Sequence, residues 1–217
     1  MRILITAGGT REYIDPVRFI SNASTGKMGY AIARAAAAGG HLVTLITAPA
    51  AIRPPDRVRV VNVVSAADMF KAVRDNFAAC DCLIMAAAVA DYTPVRTSRT
   101  KLKKSGANLT LQLKPTRDIL KWAGRNKKGR LVVGFALEDT DLRQRAEKKL
   151  RDKNLDLIIA NAPDSIGASA STVHIKSVHE PWTTFADIPK TRIAAKLLAR
   201  IEGLALTNRQ PRSERSR

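Results

Sequence analysis

The chain has few cysteines, histidines, aromatics and acids, and each shortage closes off a class of chemistry. Its 217 residues include two cysteines, Cys80 and Cys82, one residue apart at the start of an apolar run. Buried structural thiols are expected there, not a disulfide framework. Three histidines, His41, His174 and His179, lie scattered without metal-ligand spacing, so no protein-built metal site is assigned. Aromatics make up 5% of the chain and form no stacking motif, which argues against a single-strand nucleic-acid binder. No apolar run reaches the roughly 20 residues of a membrane-spanning helix, and the first residues lack the regions of a signal peptide. A soluble, cytoplasmic protein is the expectation.

Acid is scarce as well: 37 basic side chains face 19 acidic ones, a formal net charge of +18. A field of that sign serves nucleic acid or draws in a small polyanionic substrate, and much of the surplus is expected as solvated surface. Part of the surplus is the stretch 207–217, polar, arginine-rich and without apolar periodicity, which is expected to be disordered. The reading is therefore one folded domain over residues 1–205 and a disordered basic tail over 206–217. At 45% hydrophobic content, such a domain can bury a full core.

Strand-like and helix-like segments alternate along the sequence. Strands are expected at Arg2–Ala7, His41–Thr47, Val58–Val63, Asp81–Ala88, Asn108–Leu113, Arg130–Ala136 and Leu155–Ala160. Helices are expected at Lys27–Ala38, Ala66–Ala79, Asp118–Gly124, Asp139–Asp152 and Pro189–Gly203, where apolar residues recur at helical spacing. Thr172–Lys176 and Trp182–Phe185 flank a turn-like segment and suit a late β-hairpin. The alternation predicts a three-layer, Rossmann-like, doubly wound α/β fold with a mainly parallel sheet. The basic stretch Arg96–Lys104 interrupts that order as a flap.

Five segments carry candidate chemistry. The first strand breaks into Gly8-Gly9-Thr10, where backbone can approach a phosphate without a Cβ in the way. The polar loop after it ends in Ser24-Thr25-Gly26-Lys27-Met28-Gly29, a helix start whose free amides and dipole favour an anion. Met85-Ala86-Ala87-Ala88-Val89-Ala90-Asp91 is a strand that runs into small residues and then an acid, leaving room for a flat ring or ribose. Lys101-Leu102-Lys103-Lys104 places three lysines on the flap, suited to charge developing on a leaving pyrophosphate. Finally, Gly134-Phe135-Ala136-Leu137-Glu138 is followed by Lys149 and Lys153, which are four apart and share one helix face near the helix's end.

Two familiar nucleotide sites fail on their spacing. A P-loop needs glycine where Ser21 stands and Ser or Thr where Met28 stands. A nicotinamide-dependent oxidoreductase needs Gly-x-Gly-x-x-Gly after the first strand and an acid after the second, and the chain offers neither.

Taken in order, these segments resemble one family, the phosphopantothenoylcysteine synthetases, the ligase half of the bifunctional coenzyme A biosynthesis flavoprotein. The resemblance rests on Thr6–Glu12, Ile14–Asn22, Gly26–Gly29, Ala87–Tyr92, the Lys101–Lys104 cluster, Asp118–Leu120, Val133–Ala136 and Lys153–Asp156, and covers about residues 1–165.

It implies a phosphopantothenate–cysteine ligase that activates the carboxylate of 4'-phosphopantothenate with CTP as an acyl-cytidylate and condenses it with L-cysteine. Carried over by position, Asn22 supports conversion of the intermediate and Lys101 acts from the flap on the triphosphate. Met85, Ala86, Ala87, Asp91, Arg117, Asp118, Ile119, Leu120, Phe135, Lys149 and Lys153 line the nucleotide site. Gly8, Gly9, Ser24 and Gly26 cradle phosphate, on physical grounds more than on the family's. Magnesium (Mg2+) is expected to arrive with the nucleotide, held mainly by phosphates and water. A homodimer is implied, with a separate flavin-dependent decarboxylase acting downstream.

Overall fold

A computed structural model describes residues 1–209. In chain order the elements are β1 (Arg2–Ala7), β2 (Arg11–Tyr13), β3 (Phe19–Ser21), α1 (Lys27–Ala38), β4 (Leu42–Thr47), β5 (Val58–Asn62), α2 (Ala66–Phe77), β6 (Cys82–Met85) and β7 (Tyr92–Pro94). There follow β8 (Leu113–Pro115), α3 (Ile119–Arg125), β9 (Leu131–Leu137), α4 (Leu142–Asp152), β10 (Leu157–Asn161), the 3-10 turn Pro163–Ser165, β11 (Ala170–Ser177), β12 (Thr183–Pro189) and α5 (Lys190–Arg209).

Eight strands form one sheet in the order β12-β11-β10-β9-β6-β1-β4-β5. The six strands from β10 to β5 run parallel; β11 and β12 close one edge as an antiparallel hairpin. Along β1 the side chains alternate: Ile3, Ile5 and Ala7 pack on one face and Leu4 on the other. The first face is covered by α1 and α5, through Ile32, Ala33, Ile193 and Leu197. The second is covered by α2, α3 and α4, through Met69, Val73, Ala123 and Leu150. This is the three-layer, mainly parallel arrangement read from the alternation, with its late hairpin.

The direction of winding matters most for the site. From β1 the chain moves outward to β4 and β5, then returns through α2 to β6 on the opposite side of β1. The carboxyl ends of β1 and β6 therefore flank the crevice at which open α/β sheets bind ligands.

Several boundaries shift for local reasons. Asn108–Leu113 is not a strand of the main sheet: residues 108–112 are exposed loop, and only Leu113–Pro115 pairs, with Tyr92–Pro94. Its alternating apolar and polar residues read as a strand, but of these only Leu113 enters a ladder. β6 ends at Met85 because the Ala87 amide turns to the Thr6 hydroxyl at 3.1 Å, leaving one bridge between Gly9 and Ala88. β10 starts two residues late, since the Leu155 amide still closes α4 onto the Leu150 carbonyl at 2.9 Å. The last helix continues to Arg209, so 206–209 of the expected tail are helical; 210–217 lie outside the described residues. Cys80 and Cys82 are free and buried, with burial pushing the Cys80 thiol up to about 11.

Gly124 is where α3 and the end of α4 touch. A Cβ there would sit 1.8 Å from the Lys153 carbonyl oxygen, a main-chain atom that no side-chain rotation can move away. Helix propensity alone would make Gly124→Ala stabilising by about 1 kcal/mol. The overlap should reverse the sign and cost about 2–3 kcal/mol net, a fall in Tm of roughly 5–10 °C at this chain length. An unchanged or raised melting temperature would show that α3 shifts freely.

Candidate functional site

A cleft of about 520 Å³ opens at the carboxyl edge of the sheet, at the crossover between β1 and β6. It is larger than the two clefts of about 290 and 320 Å³ near the amino ends of the strands. Residues Asn22–Met28 form one side, Ala86–Val89 and Asp91 the floor and rim, and Phe135, Leu137 and Lys149 a second side. The third side comes from Asn161, Ser165–Gly167, Ser171, Val173 and Lys190. Its charged lining is three lysines, Lys27, Lys149 and Lys190, against one acid, Asp91. Such a surface attracts a polyanion.

Glycine makes the first side possible. Gly8 has φ +80, and a Cβ on it would lie 2.7 Å from the Ala48 carbonyl oxygen. Gly26, also left-handed at φ +78, caps α1 and rests on Gly8, whose Cα would be 3.3 Å from a Gly26 Cβ. The helix start is thereby pressed onto the end of β1, with Gly26, Lys27 and Met28 lining the cleft.

Hydrogen bonds to buried threonine hydroxyls fix the floor. Thr6 accepts from the Ala87 amide at 3.1 Å, and Thr10 accepts from the Ala90 amide at 2.9 Å. Asn22 Nδ2 donates to the Val89 carbonyl at 3.2 Å, tying the loop to the floor. Across the cleft, Lys149 Nζ donates to the Phe135 carbonyl at 2.7 Å. Burial, then the Lys153 charge, push the Lys149 pKa below the ordinary lysine value.

Asn22, Ser24, Gly26, Ala86, Ala87, Asp91, Phe135 and Lys149 thus come together around one cavity. Others stand back from it. Gly8 and Gly9 are buried beneath the loop, where they shape the wall without lining it. Met85 is buried, its sulfur accepting the Thr6 hydroxyl at 3.6 Å. Asp118 caps α3 by accepting the Lys121 amide at 2.9 Å and pairs with Lys153 at 2.8 Å. That cap turns Ile119 and Leu120 into the core, so the pair packs and does not line the cleft. The guanidinium of exposed Arg117 lies 5.1 Å from the Phe70 ring centroid. Lys101 is exposed on the flap and outside the cleft lining.

Sequence reasoning missed the third side. Asn161, Ser165, Ser171 and Lys190 come from the late strands and the start of α5. No local motif marks them; the one available signal was that β10 must end at the same edge as β6.

The flap is held at its root by a buried acid. Asp15 accepts from both Nε and Nη2 of Arg18, and from the amides of Val17, Arg18 and Leu102. Arg18 also donates to the Leu102 carbonyl at 2.8 Å. The Arg18 guanidinium, then these amides, hold the Asp15 carboxyl well below the usual carboxylate range against the effect of burial. A depressed native pKa gives stabilisation that is complete above the ordinary value near 4 and lost only as pH falls through the lower native value. Anchoring should therefore be constant between about pH 5 and 8. Asp15→Asn removes the charge, and tryptic cleavage within Arg96–Lys104 at neutral pH should speed up several-fold. Equal cleavage rates would show that the flap is not tied down there.

A family model described as the DNA/pantothenate metabolism flavoprotein C-terminal domain matches residues 1–204. The Bacillus subtilis (strain 168) coenzyme A biosynthesis bifunctional protein CoaBC is 50% identical over 167 residues, 76% of this chain and 41% of that protein. A cysteine/cysteine sulfinic acid decarboxylase from an unknown prokaryotic organism is 48% identical over 169 residues, 77% of this chain and 47% of that protein. The chain spans less than half the length of both relatives. A crystal structure of the C-terminal domain of a coenzyme A biosynthesis bifunctional protein CoaBC superposes with a TM-score of 0.83 at 40% identity, covering 95% of this chain and 96% of that one.

Proposed function

The chain belongs to the DNA/pantothenate metabolism flavoprotein C-terminal domain family, and from that premise we propose that it is a CTP-dependent phosphopantothenate–cysteine ligase of coenzyme A biosynthesis. The observation that carries the reading is the lysine-rich cleft at the β1–β6 crossover, where Asn22 and the small residues Ala86 and Ala87 meet Phe135 and Lys149.

A carboxylate does not acylate an amine at neutral pH without a better leaving group. In the first step a carboxylate oxygen of 4'-phosphopantothenate bonds to the α-phosphorus of CTP, and the bond to the β-phosphate oxygen breaks to release pyrophosphate. In the second step the cysteine amine bonds to the acyl carbon, CMP leaves with the electron pair, and the amine loses a proton to solvent. Both phosphorylated substrates are anions that repel each other, so a site carrying three lysines lowers the cost of bringing them together.

Phe135 and the small floor residues suit the nucleoside, Asp91 supplies acceptors for a hydroxyl or exocyclic amine, and Lys149 supplies a desolvated positive charge. No group of three His, Cys, Asp or Glu suited to a metal occurs among the described residues. With one carboxylate in the cleft, magnesium would fit as an ion carried by the nucleotide's phosphates and water.

A homodimer belongs to the same reading. Val17, Phe19, Tyr92, Val95, Leu109 and Leu113 expose apolar surface on the small ribbons and the loop beside them, the kind of surface that marks an interface. A separate flavin-dependent decarboxylase would consume the product. No described helix is long and apolar enough to cross a membrane.

The reading is tested by pyrophosphate release from the purified chain given 4'-phosphopantothenate, cysteine and each nucleoside triphosphate in turn. CTP should give the highest turnover. Release independent of cysteine and phosphopantothenate would remove the ligase reading, and ATP exceeding CTP would remove the nucleotide assignment. Light scattering should give twice the chain mass; full activity at monomer mass would exclude the dimer.

A further inference from the structure

On the side of the cleft nearest α1 and α5, Lys27, Lys190 and Ser171 have so far been given no contact of their own with a substrate, yet they are arranged for a ligand. Ser171 on β11 is 8% exposed and lines the cleft, and its Oγ is buried without a hydrogen-bond partner. A buried hydroxyl with no partner is costly unless something supplies one.

Two ammonium groups flank the same wall. Lys27 Nζ donates to the Gly167 carbonyl at 2.7 Å, and Lys190 Nζ donates to the Ser165 carbonyl at 2.9 Å. Neither lysine has an ion-pair partner among the described residues. Burial, then the charge of Lys27, lower the Lys190 pKa, so the two cations sense each other without an intervening acid. The carbonyls they hold sit on a fixed turn: Ser165 Oγ donates to the Ala162 carbonyl at 2.7 Å and accepts from Asn161 Nδ2. The first amides of α1 add donors and a positive dipole end beside Lys27.

We propose that Lys27, Lys190 and Ser171 form a subsite for a terminal phosphate group. Two uncompensated cations and a hydroxyl match a dianion with three outward oxygens. A single carboxylate would be over-compensated by the same pair. On binding, each ammonium turns from a neutral carbonyl to a phosphate oxygen, and Ser171 gains its missing partner. The proposal rests on the reading of this cleft as a site for phosphorylated substrates, of which two carry such a group: the nucleoside triphosphate and the phosphorylated acid.

The direct test uses inorganic tripolyphosphate as the probe, titrated calorimetrically into the full chain and into K27Q, K190Q, S171A and K190R. Each lysine-to-glutamine change should weaken binding about tenfold, and S171A a few-fold. K190R should bind within a few-fold of the unsubstituted chain and report that the fold is intact, with thermal melts of every variant as a second check. Under ligation conditions, a rise in KM for CTP alone places the nucleotide's terminal phosphate in the subsite; a rise in KM for phosphopantothenate alone places the acid's phosphate there. Tripolyphosphate binding that is absent, or equally tight in folded K27Q and K190Q, overturns the proposal even if ligation proceeds. Lysine-dependent binding in a chain that performs no ligation would leave the subsite standing and remove the ligase reading instead.

Discussion

Asn22→Asp is expected to lower ligation by roughly 10²–10³, the scale of losing one preorganised donor at a reacting centre, while leaving the fold intact. Asn22 is exposed on the cleft side of the loop after β3, and its Nδ2 donates to the Val89 carbonyl at 3.2 Å. An aspartate in its place has no hydrogen to give, so a carboxylate oxygen would face the carbonyl oxygen and the loop would lose its tie to the floor. The change also adds a second negative charge to a cleft whose lining has one, beside substrates that are themselves polyanions. Asn22→Ala removes the donor without adding charge and should fall between the two. The measurement is steady-state pyrophosphate release with single-turnover CMP release, and thermal melts alongside. Since Asn22 is exposed, Tm should move little. Normal ligation by a folded Asn22→Asp would take this residue out of the site.

How far the sequence revealed the fold depended on how local each signal was. β1 and α1 were legible to the residue, because an unbroken apolar strand and a helix with Gly29, Ile32, Ala33 and Ala36 on one face leave little choice of boundary. The ribbons β2–β3 and β7–β8 were not. Strands of three residues carry too little alternation to be recognised, and these are fixed instead by contacts remote in sequence, such as Thr97 Oγ1 donating to the Tyr13 carbonyl at 3.1 Å.

The site divides in the same way. Residues flanking the ends of β1 and β6 could be named because glycine, small residues and an acid at strand ends have direct chemical uses. Ile119 and Leu120 show the opposite problem: their place beside a charged, polar segment suggests a nucleotide wall, but the Asp118 cap and the small Gly134 beneath Leu120 draw them inward. A Cβ on Gly134 would stand 2.8 Å from a Leu120 methyl, so the two positions are packed as one. Lys190 and Ser171 had no local signal, since only the antiparallel return of β11 and β12 brings α5 back to this edge.

Lys101→Ala carries the second large expected effect, a fall in turnover of roughly 10²–10³, and it arises from a residue that makes no contribution to packing. Lys101 is exposed, and its neighbour Leu102 is tied by amide and carbonyl to Asp15 and Arg18. The ammonium therefore rides on an anchored root while standing outside the cleft lining. Its approach to a bound triphosphate requires the 96–112 loop, of this subunit or of a second one, to cover the cleft once nucleotide is present. Charge developing on the departing pyrophosphate would then meet a donor absent from the ground state, so the loss should fall on kcat more than on KM. Lys104→Ala, two positions past the anchored Leu102 where Lys101 is one before it, serves as the control and should keep near-normal rates. Both variants should melt within about 0.5 kcal/mol of the parent, as exposed lysines without packing partners do. Equal and near-normal kinetics for the two would show that the flap lysines are solvated surface charge, and leave the leaving group to be stabilised by lysines already in the cleft, Lys149 foremost among them.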